Sequence, residues 1–151
     1  GPSTAVYPGV LNVLGDGAEY VTSGRVTALA LAPDCTTRRC TLYVAAAGGG
    51  VWRTDRALAK KQDWEFVSGS FGTNAIGTLL IDPRDASGRT IYAGTGEPNA
   101  SGDSESGVGI YRSTDGGDSW TLLPGSGQFA GRSLSSLQLS PNGTIVVGFR
   151  S

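Results

Sequence analysis

The 151-residue sequence contains no histidine and no methionine, and its charged residues are few and balanced. Without histidine, Ser-His-Asp catalysis, histidine metal ligation and histidine pH switching are excluded within this sequence. The 12 Lys and Arg residues face 13 Asp and Glu residues, so there is no basic excess of the kind that nucleic acids and anionic membranes attract. No apolar run approaches the roughly 20 residues of a membrane helix. We therefore expect neither a nucleic-acid partner nor membrane insertion.

The sequence is rich in glycine and poor in charge: 24 of the 151 residues are glycine, and only 17% are charged. Many glycines with few charges favour a β protein with many tight turns. A chain of this length is long enough for one domain with a sizeable core. We therefore expect an all-β protein.

Two cysteines, Cys35 and Cys40, flank a short loop between two predicted strands. We favour a local disulfide that pins this loop. Such a bond would indicate an oxidising compartment, and so a secreted, extracellular or periplasmic protein. Two free thiols are the alternative. A zinc site is not expected, because two cysteines without any histidine do not supply four ligands.

Three segments share one apolar pattern and end on a proline: 26–33, 76–83 and 134–141. Apolar residues occupy the first, fourth and sixth positions of each segment. The closing proline suits a strand that ends there, since proline lacks an N–H. The spacings of 50 residues (26 to 76) and 58 residues (76 to 134) leave room for four short strands in each repeat.

Further short runs of β-branched and aromatic residues follow each segment, and Gly, Pro and Asp bound them. They are 41–45, 50–54 and 64–67 in the first repeat, 90–94, 109–113 and 120–123 in the second, and 144–148 in the third. The repeats are thus 24–68, 69–126 and the first half of a third unit at 127–151. Only 56–61 has a helical pattern.

Aromatic residues recur at equivalent strand positions. We predict that they pack between sheets rather than stack on a ligand, because aromatics at strand spacing are typical of a core. They are Tyr43, Trp52, Trp64, Tyr92, Tyr111 and Trp120.

The connection before the last strand of the second repeat reads S-x-D-x-G-x-x-W, formed by Ser113, Asp115, Gly117 and Trp120. Aspartate suits a tight turn because it bonds its own downstream backbone, and glycine accepts a positive φ. The pattern resembles the Asp-box, the hairpin signature of BNR-repeat β-propellers. Together with the repeat, it makes the chain similar to secreted bacterial propellers of the sialidase-like, xyloglucanase-like and sortilin-like kinds.

The first repeat carries a degenerate form of the same box, in which Thr54, Asp55 and Trp64 remain and 56–61 replaces the turn. The resemblance implies blades of four antiparallel strands, of which the sequence supplies about two and a half. Propellers close with typically 4–8 blades. Three hypotheses stay open: a segment of a longer propeller, a subunit completed by self-association or a companion chain, and a stable open wedge.

Residues 1–23 are interpreted separately from the blades. Gly1, Pro2 and Ser3 resemble the scar left by a tag protease. The apolar run 9–14 is a candidate strand that closes the ring.

Two arginines, Arg25 and Arg132, precede the first strands of the first and third repeats. The inner strands of a propeller line its channel, so the resemblance implies that both arginines face a common anion. The alternative is that each is a repeat-consensus residue that bonds neighbouring carbonyls.

The loop 95–107 is much longer than the equivalent connection 46–49. Long loops on rigid scaffolds tend to carry function, so Glu97, Asn99, Asp103 and Glu105 are candidate binding residues. Glu97, Asp103 and Glu105 also offer the oxygen ligands that Ca²⁺ prefers. A solvated loop without chemistry is the alternative, and no other cofactor is expected.

We expect a scaffold that binds a glycan or a protein and is not catalytic by itself, because the strong scaffold pattern comes without an assembled active site. The alternative is part of a glycoside hydrolase completed by missing blades or a partner chain. It needs two carboxyl groups roughly 5–9.5 Å apart around a sugar. A third interpretation is an assembly module whose open sheet edges join subunits by strand addition.

Overall fold

Ten β-strands form the framework of the protein, whose structure is a computed structural model describing residues 25–98 and 105–150. The strands are β1 (Val26–Leu31), β2 (Leu42–Ala46), β3 (Gly50–Thr54), β4 (Glu65–Phe66), β5 (Ile76–Ile81), β6 (Ile91–Thr95), β7 (Ile110–Ser113), β8 (Thr121–Leu122), β9 (Ser133–Leu139) and β10 (Ile145–Arg150). A single 3₁₀ turn of helix, Ser126–Phe129, precedes β9. Every strand predicted within the described residues is present. The predicted strand at 9–14 lies outside them.

The strands form three antiparallel units in sequence order. The first sheet is β1-β2-β3-β4, the middle sheet is β5-β6-β7-β8, and β9 and β10 form a hairpin. The all-β expectation is therefore confirmed. None of the described helices is long and apolar enough to cross a membrane.

The first strand of each unit has a β-bulge at the same place. The pairing shifts between Val26 and Ala28 in β1 and between Ile76 and Thr78 in β5. In β9, Leu134 pairs with Phe149 and Ser136 with Gly148, which leaves one residue of β9 unpaired. The extra residues are Thr27, Gly77 and Ser135. A bulge bends its strand and sharpens its twist, so the three units share a local shape as well as a strand order.

The units stack face to face with the middle sheet in the centre. One core cluster joins the first and middle sheets, and its members include Tyr43, Ala45, Val51, Ile76 and Leu79. A second cluster joins the middle sheet to the hairpin through residues that include Tyr92, Ile110, Leu134 and Leu137. The middle sheet is therefore covered on both faces, and apolar burial at these two interfaces holds the stack together.

The bulges make close contacts between units. The Thr27 hydroxyl donates to the Ile76 carbonyl oxygen at 2.6 Å. At the next interface, a Cβ on Gly77 would lie 1.8 Å from the Leu134 carbonyl oxygen. Glycine is required there because only a residue without a side chain lets the two backbones approach.

One face of the first sheet has no cover within the described residues. We define this outer face by Val26, Leu29, Leu31, Val44 and Trp52, which lie on β1, β2 and β3 on the side away from the middle sheet. The side chain of Leu29 is 64% exposed, and those of Val26 and Leu31 are each 54% exposed. Such an apolar patch is unusual on an isolated soluble surface.

The first sheet differs from the sequence interpretation at one loop and agrees at another. The helical prediction for 56–61 is wrong, since Arg56 forms an isolated bridge with Cys40 and the residues after it form turns and bends. Gln62 donates to the carbonyl oxygens of Ala57 and Ala59, which removes acceptors that a helix would need. The predicted disulfide between Cys35 and Cys40 is present and closes the loop between β1 and β2.

Candidate functional site

The candidate site lies at one end of the stack, which we call the upper end: the end at which β1, β5 and β9 begin and β2, β6 and β10 finish. The antiparallel pairs Val26 with Ala46, Ile76 with Thr95 and Ser133 with Arg150 define it. The long loop predicted to bind a ligand leaves the middle sheet here. Loops at one end of a rigid sheet stack are well placed to hold a ligand.

Both described stems of this loop are fixed by backbone hydrogen bonds. The Gly96 N–H donates to the Ala75 carbonyl at 2.8 Å, and the Glu97 N–H donates to the Glu105 carbonyl at 2.9 Å. The Gly107 N–H donates to the Arg132 carbonyl, which precedes β9, at 2.9 Å. The backbone bond between Glu97 and Glu105 holds the two predicted binding residues side by side. Asn99 and Asp103, the other two, lie outside the described residues.

Side chains tie the same loop to the outer units. Arg25, before β1, forms an ion pair with Glu97. Arg150, at the end of β10, donates from Nη1 to the Pro98 carbonyl at 3.0 Å. The loop of the middle sheet is thus bonded to the first sheet on one side and to the hairpin on the other.

Arg25 and Arg132, predicted to face a common anion, have different contacts in the structure, and the shared anion stays a prediction. The guanidinium of Arg132 lies 4.6 Å from the centre of the Phe149 ring, whereas Arg25 contacts Glu97. The two are also not equivalent in register, because the bulges make Val26 in β1 and Leu134 in β9 the matching positions. Arg25 stands one residue before that position and Arg132 stands two. Strand pairing sets the register, so two arginines that both precede a first strand need not be equivalent.

A calcium site at Glu97, Asp103 and Glu105 stays a prediction. The carboxylate of Glu97 faces Arg25, and that of Glu105 accepts from the Thr73 hydroxyl at 3.3 Å. Residues 25–98 and 105–150 contain no group of three or more His, Cys, Asp or Glu side chains placed to hold a metal ion. A cation would have to compete with Arg25 for Glu97.

The S-x-D-x-G-x-x-W segment forms the turn between β7 and β8. The Ser113 hydroxyl donates to the Asp115 carboxylate at 2.7 Å and accepts from the Gly117 N–H at 2.8 Å. The Ser119 N–H donates to the same carboxylate at 2.8 Å. Hydrogen bonds from Ser119, and secondarily from Ser113, lower the pKa of Asp115 to about 2. All these bonds are internal to the turn, so this carboxylate stabilises structure.

The same turn docks on the first sheet. The Trp120 indole N–H donates to the Val67 carbonyl at 2.9 Å, and the Gly116 carbonyl accepts from the Tyr43 hydroxyl at 2.9 Å. The prediction of interface packing for Tyr43 and Trp120 agrees with these contacts. Trp52 and Trp64 differ: Trp52 lies on the outer face, and Trp64 lines a shallow surface depression.

The degenerate box is placed differently from the sequence alignment. The pairs Trp52 with Phe66 and Tyr111 with Leu122 make Trp64 the equivalent of Trp120. Counting from the strand before the turn, however, Arg56 and not Asp55 occupies the position of Asp115. Its N–H bonds the Thr54 hydroxyl as the Asp115 N–H bonds that of Ser113. An ion pair between Arg56 and Asp63, at 3.7 Å, spans this longer turn.

A cleft of about 390 Å³ lies at the opposite end of the stack, between the first and middle sheets. The sequence did not predict it. Arg53 is its best-anchored group, bonding the Gly116 carbonyl at 2.7 Å, Asp118 at 2.8 Å and Glu65 at 2.7 Å. Burial lowers the pKa of this guanidinium, but its bonds to Asp118 and Glu65 outweigh burial and raise it. Three arginines and four aspartates line the cleft, so it has no dominant charge. Only the stacking of the sheets brings these residues together.

Comparisons with protein families, with curated proteins and with solved structures found no match for this chain.

Proposed function

We propose that the chain is a segment of an Asp-box β-propeller that binds a glycan or a protein at the upper end and is not catalytic by itself. The observation that carries the proposal is the tethering of one long loop to all three units, through Arg25 with Glu97 on one side and Arg150 with Pro98 on the other. The described stems of this loop are held in place before a ligand arrives, which lowers the entropic cost of binding to them.

Three features support the propeller part of the proposal. Two complete sheets have the same four-stranded antiparallel order. A bulge recurs at one position in all three first strands. The units stack face to face, as propeller blades do. The Cys35–Cys40 bond favours an oxidising compartment, in line with a secreted, extracellular or periplasmic protein.

The binding residues we assign are Arg25, Glu97 and Glu105. Arginine offers several fixed N–H donors, and carboxylates offer acceptors. Side by side they suit the hydroxyl and carboxylate groups of acidic or neutral sugars. Ca²⁺ at Glu97, Asp103 and Glu105 is an additional prediction, and calorimetric titration with Ca²⁺ that gives no heat would remove it.

The proposal is tested by calorimetric titration with N-acetylneuraminic acid and with xyloglucan oligosaccharides. We expect binding by the wild-type chain to weaken by about tenfold or more in Arg25→Ala and Glu97→Gln. The control is Arg38→Ala, which removes an exposed arginine from the disulfide loop at the opposite end. Binding of neither sugar, or equal losses in all three variants, would contradict the glycan assignment.

The glycoside hydrolase alternative has one observation in its favour, the adjacency of Glu97 and Glu105. It requires the remaining catalytic groups from outside this chain. We therefore expect the isolated chain to release no product from a fluorogenic sialoside or xyloglucan substrate. Turnover that Glu97→Gln and Glu105→Gln both abolish would replace the scaffold assignment with an enzymatic one.

A further inference from the structure

The outer face of the first sheet is exposed at positions that are buried in the other units. Val26 is 54% exposed, whereas the equivalent residues Ile76 and Leu134 are fully buried. Leu29 is 64% exposed, whereas its equivalent, Leu79, is 9% exposed. The first sheet therefore presents to solvent the kind of surface that the middle sheet buries.

The structure also shows what covers such a surface. The middle sheet's equivalent face is covered by small and aromatic residues of β1 and β2, namely Ala28, Ala30, Tyr43 and Ala45. By register, the solvent side of the hairpin carries Ser136, Gln138, Val146 and Gly148 at the same four positions. Three of the four residues on the first sheet are alanines, and two of the four on the hairpin, Ser136 and Gly148, are also small, which lets backbones approach closely. The free side of the hairpin thus matches the surface that the first sheet uses to cover its neighbour.

The bulge supplies a second point of match. Thr27 donates its hydroxyl to the carbonyl of Ile76 in the next unit. Ser135 occupies the equivalent bulge position in β9 and is exposed. In the first sheet, at the free end of the stack, the Val26 carbonyl is the equivalent of the Ile76 carbonyl. The exposed Ser135 hydroxyl therefore lies where it can donate the hydrogen bond that Thr27 donates between the first two units.

We infer that a second copy of this chain docks head to tail, with the β9–β10 hairpin of one copy on the outer face of the next. This inference deepens the proposed function, since it rests on the stacked-blade arrangement and names the partner. Leu29, Leu31 and Val44 of one copy pack against Val146 and Gly148 of the other, and Ser135 bonds the Val26 carbonyl. A contact of two different surfaces continues from copy to copy until the assembly closes.

Light scattering on a sizing column, with the full chain and exposed-site variants, tests the inference. We expect the wild-type chain to associate, and Leu29→Glu and Val146→Glu each to weaken association by about tenfold or more, because a charge would be buried without a partner. Leu58→Glu is the matched control, since Leu58 is 62% exposed and belongs to neither surface. Circular dichroism checks that each variant is folded.

Mixing the two interface variants gives the sharpest result. Leu29→Glu keeps an intact hairpin surface and Val146→Glu keeps an intact outer face, so a mixture should form a two-chain species that neither variant forms alone. A wild-type monomer at about 1 mM, or full association by Val146→Glu alone, would overturn the inference. A monomer whose sugar binding still depends on Arg25 would overturn only this inference and leave the proposed function standing.

Discussion

The first and middle sheets are built alike but are covered differently. Both have four antiparallel strands in sequence order, and both have a bulge one residue into the first strand. Among residues 25–98 and 105–150, the middle sheet is packed on both faces and the first sheet on one. The same strand pattern therefore forms a buried sheet or a surface sheet, because the neighbouring units decide which faces are covered.

The two sheets also use different chemistry in equivalent connections. The loop between β1 and β2 is closed by the Cys35–Cys40 disulfide. In the loop between β5 and β6, the Asp85 carboxylate instead accepts hydrogen bonds from the backbone and hydroxyl groups of Ser87 and Thr90. The turns before β4 and β8 differ in the same way. An ion pair between Arg56 and Asp63 spans the first turn, whereas a hydrogen bond from Ser119 to Asp115 spans the second.

The largest effect is expected from Gly77→Ala at the interface between the middle sheet and the hairpin. Its Cβ would lie 1.8 Å from the Leu134 carbonyl oxygen and 2.7 Å from that of Gly96. Both are backbone atoms, so the units must separate. We expect the free energy of unfolding to fall by about 3 kcal/mol or more in urea titrations. The control, Gly127→Ala, meets no atom within 4 Å and should change it by less than about 0.5 kcal/mol.

The equivalent residues Leu79 and Leu29 test the difference in cover directly. Leu79→Ala should lower the free energy of unfolding by about 3 kcal/mol, because a buried leucine leaves a cavity. Leu29→Ala should cost less than about 0.5 kcal/mol in dilute protein, since Leu29 is 64% exposed. Equal losses in urea titrations would show that the outer face is covered after all.

Removal of the disulfide should have an intermediate effect. The bond closes a short loop between residues five apart in sequence, so the Cys35→Ala/Cys40→Ala variant should lose about 2 kcal/mol. Asp85→Ala, in the equivalent loop of the middle sheet, should lose less because hydrogen bonds at a half-buried site are partly replaced by water. Thermal unfolding of both variants checks the order, and a larger loss for Asp85→Ala would reverse it.

The smallest effect concerns pH. Hydrogen bonds from Ser119 lower the pKa of Asp115 to about 2 in the folded chain, below the value near 3.9 of an unfolded aspartate. A lowered folded-state pKa contributes stability above pH 4 that is lost as the pH falls toward 2. We expect the wild-type Tm to fall across this window more steeply than that of Asp115→Asn. Parallel profiles would show that these bonds do not depend on the charge.

The strands could be predicted because their signals are local. Alternating apolar residues, closing prolines and glycine turns placed all ten strands, and the spacing of Cys35 and Cys40 indicated the disulfide. Register was harder to predict. Arg56 and not Asp55 lies two residues after Thr54, as Asp115 lies two residues after Ser113, and one extra residue before β9 moved Arg132 away from the equivalent of Arg25.

The contacts that define the candidate site could not be predicted because they join distant parts of the chain. Arg25 and Glu97 are 72 residues apart, and they meet only because the sheets stack. Arg53 bonds Asp118 across the same interface. The length of the loop 95–107 predicted the candidate site from the sequence, but only the packing of the units shows which residues the loop contacts.

Hydrogen exchange of the dilute wild-type chain, followed strand by strand with mass spectrometry, tests most directly the claim that equivalent sheets differ in cover. Protection depends on the free energy of local opening, and buried packing raises that energy. We predict that β5 and β6 exchange most slowly and that β1 and β2 exchange faster, although their hydrogen-bond ladders match. Equal protection of β1 and β5 in the monomer would contradict the account.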